Sequence, residues 1–564
     1  MMNQKPPNIL DRAIAFIAPE RALRREKAKI QLGFMNSGYA QHGASYTKKS
    51  MQGWHETSSS PDEDITWNLP TIRNRCRNLF MGTPVATGAL KTARTNVIGP
   101  GLKLKPNIDI ETLKMTEEEA DKWEDNVSKE WALFSESKEC DAARTSNFCQ
   151  LQRLAFLSAL MSGDVFALLP SIKRKNEPYD LKIQLIEADR VCNPYLKPEL
   201  GNFQAGIEVD NYGAPVRYHV AKYYPNSLMM QSMNTWTAVE AFGAKSNRRN
   251  MIHLMDLERP GQRRGVPFLA PVIESLKQLG RYTDAELMAA VISGFFTVAI
   301  TSDAPNLATG EQGDLEYDVG APPGSTVTEP PSSDPGIALG NGTVVELGAG
   351  EKVETINPGR PNAAFDPFVT AILRQIGSAL EIPMELLIKH FTASYSASRA
   401  AILEAWKLFK TQRTWVATDF CQPIYEEWLT EAVAKGRVSA PGYFTDPLIR
   451  KAYCRAEWNG PACGQLDPVK EVNAAVTRVN NCFSTRSKEA MELTGTDFNS
   501  NYRQRVKEEK MMVAGNLIAA NSETETIRDN KNINENADGT PANEKGGSTQ
   551  DATKVLESDK SNGK

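Results

Sequence analysis

From about residue 397 onward, apolar positions recur every three or four residues: Ile402, Trp406, Phe409, Val416, Phe420 and Ile424 share one stripe. That stripe predicts a helix over 397–435, ended by Gly436 and roughly 58 Å long at 1.5 Å per residue. Pro423 falls inside it, so a kink is expected there, with the carbonyl near Asp419 freed. Ser396 or Ser398 suits the N-cap. A second row, Phe368, Ile372, Ile376 and Leu380, predicts a helix over 364–380 that stops near Glu381, because Pro383 biases Ile382 away from helical geometry. A third, Leu269, Val272, Leu276, Leu279, Tyr282 and Thr283, predicts another long helix within 263–293. Trp406, Trp415 and Trp428 are expected in packing rather than on a ligand.

Elsewhere the pattern changes period. An Arg73, Arg75 and Arg77 helix passes through Thr83-Pro84 into a second helix and a Gly-Pro-Gly turn, and two more helices are expected near 117–134 and 147–162. Strand signals dominate 165–220, where GIEV and PVRYHV joined at DNYG read as a hairpin. Strand-like FTVAI, TVVEL and KVETI flank a Pro, Gly and Ser-rich insert in 296–361, a small β unit with an expected disordered insert between two helices. A turn-rich join at 455–473 leads into one helix expected to run through Ala490. The stretch from Asn521 is polar and lacks aromatics, as a disordered tail would. Mixed helical and strand segments of this order define an α+β chain.

Composition narrows what such a chain does. With 564 residues, 41% hydrophobic and 24% charged, it can bury a sizeable core. Its net charge of -4 argues against coating nucleic acid by bulk electrostatics, so any DNA contact is local or sliding. Eight scattered cysteines without a CxxC pair read as reduced thiols. The apolar run at 9–18 precedes the basic cluster Arg21, Arg24 and Arg25, the reverse of a signal peptide's order, which suggests an amphipathic arm. The longest nearly uncharged apolar run, 287–300, is shorter than the ~20 residues a bilayer requires, so no membrane contact is expected.

Catalytic chemistry has little purchase here. Gly243-Ala244-Lys245-Ser246 lacks the glycine before lysine that a phosphate loop needs, and His42, His55, His219, His253 and His390 form no metal-binding pair. Ser135-Glu136-Ser137-Lys138 matches SxxK without companion motifs. Asp256, Glu258, Asp284 and Glu286 could hold Mg²⁺ for nuclease chemistry, yet carboxylates at element ends more often cap or face solvent. No catalytic residue, cofactor or metal is therefore assigned. The segment 389–398 carries a different chemistry: Lys389, His390, an exposed Phe391, and the hydroxyls of Thr392, Ser394, Tyr395 and Ser396, suited to a wet contact, with Lys389 the candidate for phosphate. His390 reads equally well as locally packed beside Phe391.

The strings NLPTIRNRCRNL, NVIGPGLKLKP, GIEVDNYGAPVRYHV, HLMDLERPGQRRGVPFLAPVIESLKQLGRYTDAELMAA, EIPMELL, SYSASRAAILEAW and WNGPACGQLDPVKE, in this order, resemble the lambda-type family of tailed-phage portal proteins from about Asp11 to about Glu509. The resemblance implies an elongated subunit of a dodecameric ring at one capsid vertex, the channel for DNA packaging and ejection and an initiator of head assembly. It implies an arm at 1–66, an α/β wing at 67–262, a first stem helix at 263–295, a clip with its insert at 296–361 and a second stem helix at 362–382. A tunnel loop at 383–398, a long wing helix and return strand at 399–457, crown helices at 458–520 and a tail at 521–564 complete it.

The tunnel loop would place Lys389, His390, Phe391, Thr392, Ser394, Tyr395, Ser396 and Arg399 at the DNA channel. Leu276, Leu279, Tyr282, Phe368, Ile372 and Ile376 would pack the stem. The implied partners are copies of itself, double-stranded DNA, the terminase large subunit, a head-tail adaptor, and the major capsid and scaffold proteins, in the virion and, during assembly, the host cytoplasm. A mildly acidic chain with few loop cations fits a channel through which a polyanion slides, since each neutralised phosphate adds salt-sensitive affinity. The Pro, Gly and Ser-rich insert at 302–340 is long for a clip. The alternatives are a metal-dependent DNA-processing enzyme of the packaging machinery, which needs converging carboxylates or a nucleotide loop, and a structural head protein without a channel.

Overall fold

The computed structural model describes residues 58–225, 234–294, 298–302, 351–355, 364–391, 394–464 and 467–515, with Ser227 and short pieces between 18 and 54. Most of the expected arm, nearly all of the 302–340 insert, the TVVEL segment, Thr392 and the 521–564 tail lie outside the described residues.

Capped, amphipathic helices build the body. After α1 (Pro61–Thr66), whose Ser60 and Glu63 form a reciprocal capping box, come α2 (Leu69–Gly82) and α3 (Pro84–Val97), each with a proline in its first turn where the missing amide costs nothing. Then follow α4 (Glu117–Ser135), capped by Thr116 and Glu119, and α5 (Phe148–Ser162), capped by Asn147 and Gln150. Of these, α2 to α5 agree with the helices expected from the sequence, whereas α1 lies in the segment expected to be an arm, where Ser60 and Glu63 cap it. Trp131 of α4 is the hub of the core, meeting Phe148, Tyr425 and Trp428 edge-on with centroids 5.2, 5.7 and 5.0 Å away.

Strand β1 (Lys103–Pro106) pairs with the returning β11 (Ala456–Asn459). Strands β2 (Asp164–Leu168), β3 (Gln184–Glu187) and β8 (Met251–Met255) form a sheet of order β3-β2-β8. A second sheet runs β4 (Phe203–Gln204), β5 (Ile207–Val209), β6 (Pro215–Ala221), β7 (Trp236–Glu240). The β5–β6 hairpin is the DNYG hairpin of the sequence: the Asp210 carboxylate accepts from the amides of Tyr212 and Ala214, both at 2.8 Å. Every pairing between these named strands is antiparallel, so among the described residues the region expected as an α/β wing is built of helices and antiparallel sheets, with one isolated parallel bridge, Asp141 to Ile183.

The hairpin of long helices is present with shifted ends. α6 spans Ile273–Gly294, later than the 263 start expected, because Pro267 and Pro271 lie in the approach and a short 3₁₀ turn at Ala270–Val272 precedes the helix. β9 (Val298–Ser302) and β10 (Glu351–Thr355) pair antiparallel, the base of the expected β unit. α7 (Phe365–Ala379) returns alongside α6 and stops before Glu381, as Pro383 predicts.

The long helix runs as α9 (Tyr395–Val416), a π-helical turn at Ala417–Cys421, and α10 (Gln422–Ala434), with Gly436 at φ +71° beyond its end. Its N-cap is Ser394, whose ψ of 156° is extended, not Ser396 or Ser398, which already lie inside the first turn. The expected break at Pro423 takes the form of that π turn: the Gln422 amide reaches back to the Ala417 carbonyl, so the ladder has changed register before the residue that cannot donate. Phe409, Val416, Phe420 and Ile424 are buried, as is Trp406, while Ile402 is half-buried. Trp428 is fully buried, and Trp415 donates through Nε1 to the Met255 carbonyl at 3.1 Å. After α11 (Pro447–Cys454), the single helix expected through Ala490 is two, α12 (Pro468–Asn480) and α13 (Arg486–Thr494), broken where Cys482 turns at φ +59°, followed by α14 (Phe498–Ala514).

Candidate functional site

The loop singled out by its hydroxyls and cation emerges from a fixed platform. The end of α7 turns back sharply: the Ile382 amide donates to the Gly377 carbonyl at 3.0 Å, and a Cβ on Gly377 would lie 2.6 Å from the Ile382 carbonyl oxygen. Ile382 is buried, and Pro383 starts α8 (Met384–Ile388), a short helix inside what the sequence suggested was all loop. Leu387 of α8 is buried against α3. Lys389 then adopts φ +57° and closes α8, and the His390 amide donates to the Glu385 carbonyl at 3.0 Å.

Beyond this point side chains face outward. Lys389, His390, Ser394 and Ser396 are exposed, and Phe391 is 47% exposed, an apolar ring without a pocket. The hydroxyls of Ser394 and Ser396 lie 3.2 Å apart. Thr392 and the Tyr395 side chain lie outside the described residues. Arg399 departs from the group, because its guanidinium turns to Glu471 of α12 at 3.2 Å.

The stem residues divide into a root and an outer part. Leu276, Leu279 and Ile376 are buried at the root, and Ile372 is half-buried. Farther out, Tyr282 stacks on Phe365 at 5.6 Å and meets Phe368 edge-on at 5.0 Å. Phe368, expected on the buried row, remains 50% exposed because only that edge of it is covered. On α6, Leu287, Met288 and Val291 are exposed by 64, 59 and 47%.

A group that sequence reasoning missed holds the stem root. Asp164, at the start of β2 and fully buried, accepts from Arg73 at 2.7 Å, from Arg264 Nε at 2.6 Å, and from the Gly265 amide at 3.3 Å, with His253 Nε2 at 3.2 Å. Arg264 spends its remaining donors on the carbonyls of Val191, Ala205 and Ala188 at 2.7, 2.8 and 2.7 Å. Arg73 also reaches the Ser162 carbonyl at 2.7 Å and Asp189 at 3.2 Å, and Asp189 in turn takes Arg77 and the Tyr224 hydroxyl.

Burial alone would raise the Asp164 carboxyl, yet the guanidiniums of Arg264 and Arg73 hold it well below the usual carboxylate range. Burial also pushes Arg73 down, to about 10, against the pull of Asp164, and lowers His253 although Asp164 pulls it upward. The two glycines flanking the group are a close contact: a Cβ on Gly163 would lie 2.2 Å from the Gly265 carbonyl oxygen, and one on Gly265 2.0 Å from that of Gly163. The segment entering α6 is thereby bolted to β2, β8 and α2 through one buried carboxylate. The only signals in the sequence were the paired arginines of NLPTIRNRCRNL and of RRG, with no indication of their common partner.

Among the described residues no group of three or more His, Cys, Asp or Glu could hold a metal ion, and no helix is long and apolar enough to cross a membrane. Asp256 and Glu258 are exposed just after β8. The geometry is that of a scaffold presenting a loop, a long helix and a helical hairpin.

Comparison with known proteins gives that scaffold a family. Residues 47–413 match the family described as phage portal protein, lambda family, and the chain belongs to it. It is similar to portal protein B of Escherichia phage lambda, with 24% identity over 84% of this chain and 89% of the relative. It is also similar to the portal protein of Escherichia phage N15, with 23% identity over 81% of this chain and 87% of the relative. Solved chains from the virion and from the neck of native gene transfer agent particles align over 76% of this chain and 94% of theirs, at 14 and 13% identity and TM-scores of 0.39 and 0.38. A portal protein is a structural part of a phage virion.

Proposed function

We propose that copies of this chain close into a dodecameric ring at a unique vertex of the capsid, forming the channel through which double-stranded DNA is packaged and ejected. The observation that carries this reading is the set of exposed apolar side chains on the α6 and α7 hairpin. Among the described residues Leu287, Met288, Val291 and Phe368 stay largely exposed, and a heterologous contact repeated around a closed axis would cover them.

The loop around Lys389 would then line the channel. One lysine per subunit, repeated around the ring, offers intermittent phosphate contacts instead of a deep basic groove, so a polyanion passes without stalling. The β9–β10 unit would face the terminase large subunit during packaging and the head-tail adaptor afterwards, and the outer surfaces would meet major capsid and scaffold proteins as the head is initiated. On this reading the chain acts without catalysis, first in the host cytoplasm and then in the virion.

The test is the mass and projection image of the purified full-length chain, by native mass spectrometry and negative-stain electron microscopy. A ring near twelve subunits with a hole of duplex width is the expected result. A monomer that persists when capsid and scaffold proteins are supplied would overturn it.

A further inference from the structure

The outermost helices α12, α13 and α14 meet the rest of the subunit chiefly through charge. Ala475 is buried on α12 and Glu489 on α13, and α14 buries nothing. Ion pairs cross to the body instead: Arg399 to Glu471 at 3.2 Å, Lys410 to Glu492 at 3.1 Å, Lys105 to Asp497 at 3.5 Å and Arg503 to Asp125 at 2.7 Å. Lys105 also donates to the Ser487 hydroxyl at 2.8 Å. A cleft of about 1100 Å³, lined by Lys105, Arg413, Lys488 and Asn499 among others, separates the two parts.

The pairing has a polarity. In all but the last pair the body supplies the cation and the outer helices the acid. Arg399 and Lys410 stand about three turns apart on α9, hence on one face, with ~16 Å between them along the axis. Duplex DNA carries roughly one charge per 1.7 Å of its axis, so a strip of that length faces several phosphates. Glu471, Glu492 and Asp497 each occupy the position a phosphate oxygen would take on the same cation.

We propose that three carboxylates carried by α12–α14, Glu471, Glu492 and Asp497, cover a cationic strip made by Lys105, Arg399 and Lys410, and that this strip binds the phosphate backbone of duplex DNA when this cover lifts. The choice of DNA as ligand rests on the portal reading; the cover itself does not. Cover and polyanion compete for the same cations, so each weakens the other by an equal factor. Exposed ion pairs contribute little individually and weaken with salt, which makes the cover easy to displace.

Three triple variants of the full chain test this. E471Q/E492Q/D497N removes the cover's charge, K105Q/R399Q/K410Q removes the strip's, and E111Q/E118Q/E136Q removes three exposed acids elsewhere as a control for net charge. Each is titrated with a short fluorescent DNA duplex at two salt concentrations, alongside amide exchange of α12–α14. The first variant is expected to bind about tenfold tighter than the unaltered chain, the second and the control no tighter, and exchange in α12–α14 to rise in the first two. An unchanged affinity in the first variant, an equal gain in either of the others, or unchanged exchange would overturn the proposal. Failure of the unaltered chain to form a ring, read from its mass, would count against the portal reading alone and leave this comparison intact.

Discussion

The root of the stem and the outer helices are both held by arginine, lysine and carboxylate, yet by opposite physics. At the root, Asp164 is fully buried and accepts from two guanidiniums, a histidine and a backbone amide. At the outer helices, Arg503 and Asp125 pair with 57 and 38% of their side chains exposed, and Lys410 and Glu492 with 52 and 42%. A buried charge stripped of its partners cannot be rescued by water, whereas an exposed one can. The same residue types therefore make a rigid joint in one place and a releasable one in the other.

Removing the shared anion should break this contrast most severely. Asp164→Ala leaves Arg264 buried without its counter-ion and Arg73 with Asp189 alone, and is expected to cost about 3–5 kcal/mol, read from the urea midpoint of the chain. A loss within about 0.5 kcal/mol would mean that water reaches the site. Trp406→Ala is next, at about 3 kcal/mol: its indole is buried beside Phe409 and under the Arg413 guanidinium, whose centre lies 5.2 Å from the ring. Thermal melting checks it, and an unchanged melting temperature would show that the indole is dispensable.

Acidification sharpens the comparison. His253 is buried with its proton affinity lowered, so below about pH 6.5 the unfolded chain binds a proton that the folded chain resists. Its contribution is present in full above that pH and is lost as the pH falls through the folded value. Asp164 has its affinity depressed as well, so its contribution holds above the ordinary carboxylate range and disappears only in stronger acid. Melting temperature should fall in two stages on acidification, and His253→Gln should remove the upper one.

Arg503→Ala is expected to change global stability by less than about 1 kcal/mol while raising amide exchange in α14. The smallest effect on folding is expected from deleting 389–394, whose described residues Lys389, His390, Phe391 and Ser394 are exposed. The ring should assemble as before, while DNA packaging or retention falls; loss of the ring would refute the loop's assignment to the channel.

The helices were legible where one residue sufficed to mark a period or a stop. Phe409, Val416 and Phe420 lie where the stripe puts them, and Pro383 and Gly436 end the segments they were expected to end. Ser394 escaped notice as the cap because several serines compete at that boundary and propensity does not rank them. The break at Cys482 was missed since a non-glycine residue at positive φ has no sequence marker. Asp164 was invisible for a different reason: its partners lie 91 and 100 residues away along the chain, and only folding brings them together. The ion pairs of the outer helices are equally non-local, and their acids read as ordinary solvated charge.

The contrast is tested most directly by hydrogen exchange of the assembled full-length protein at low and high salt. Exchange in α12–α14 should rise steeply with salt while the amides of β2 and Gly265 stay protected to the limit of global unfolding. Salt-independent protection of α12–α14, or early exchange at Gly265, would contradict the account.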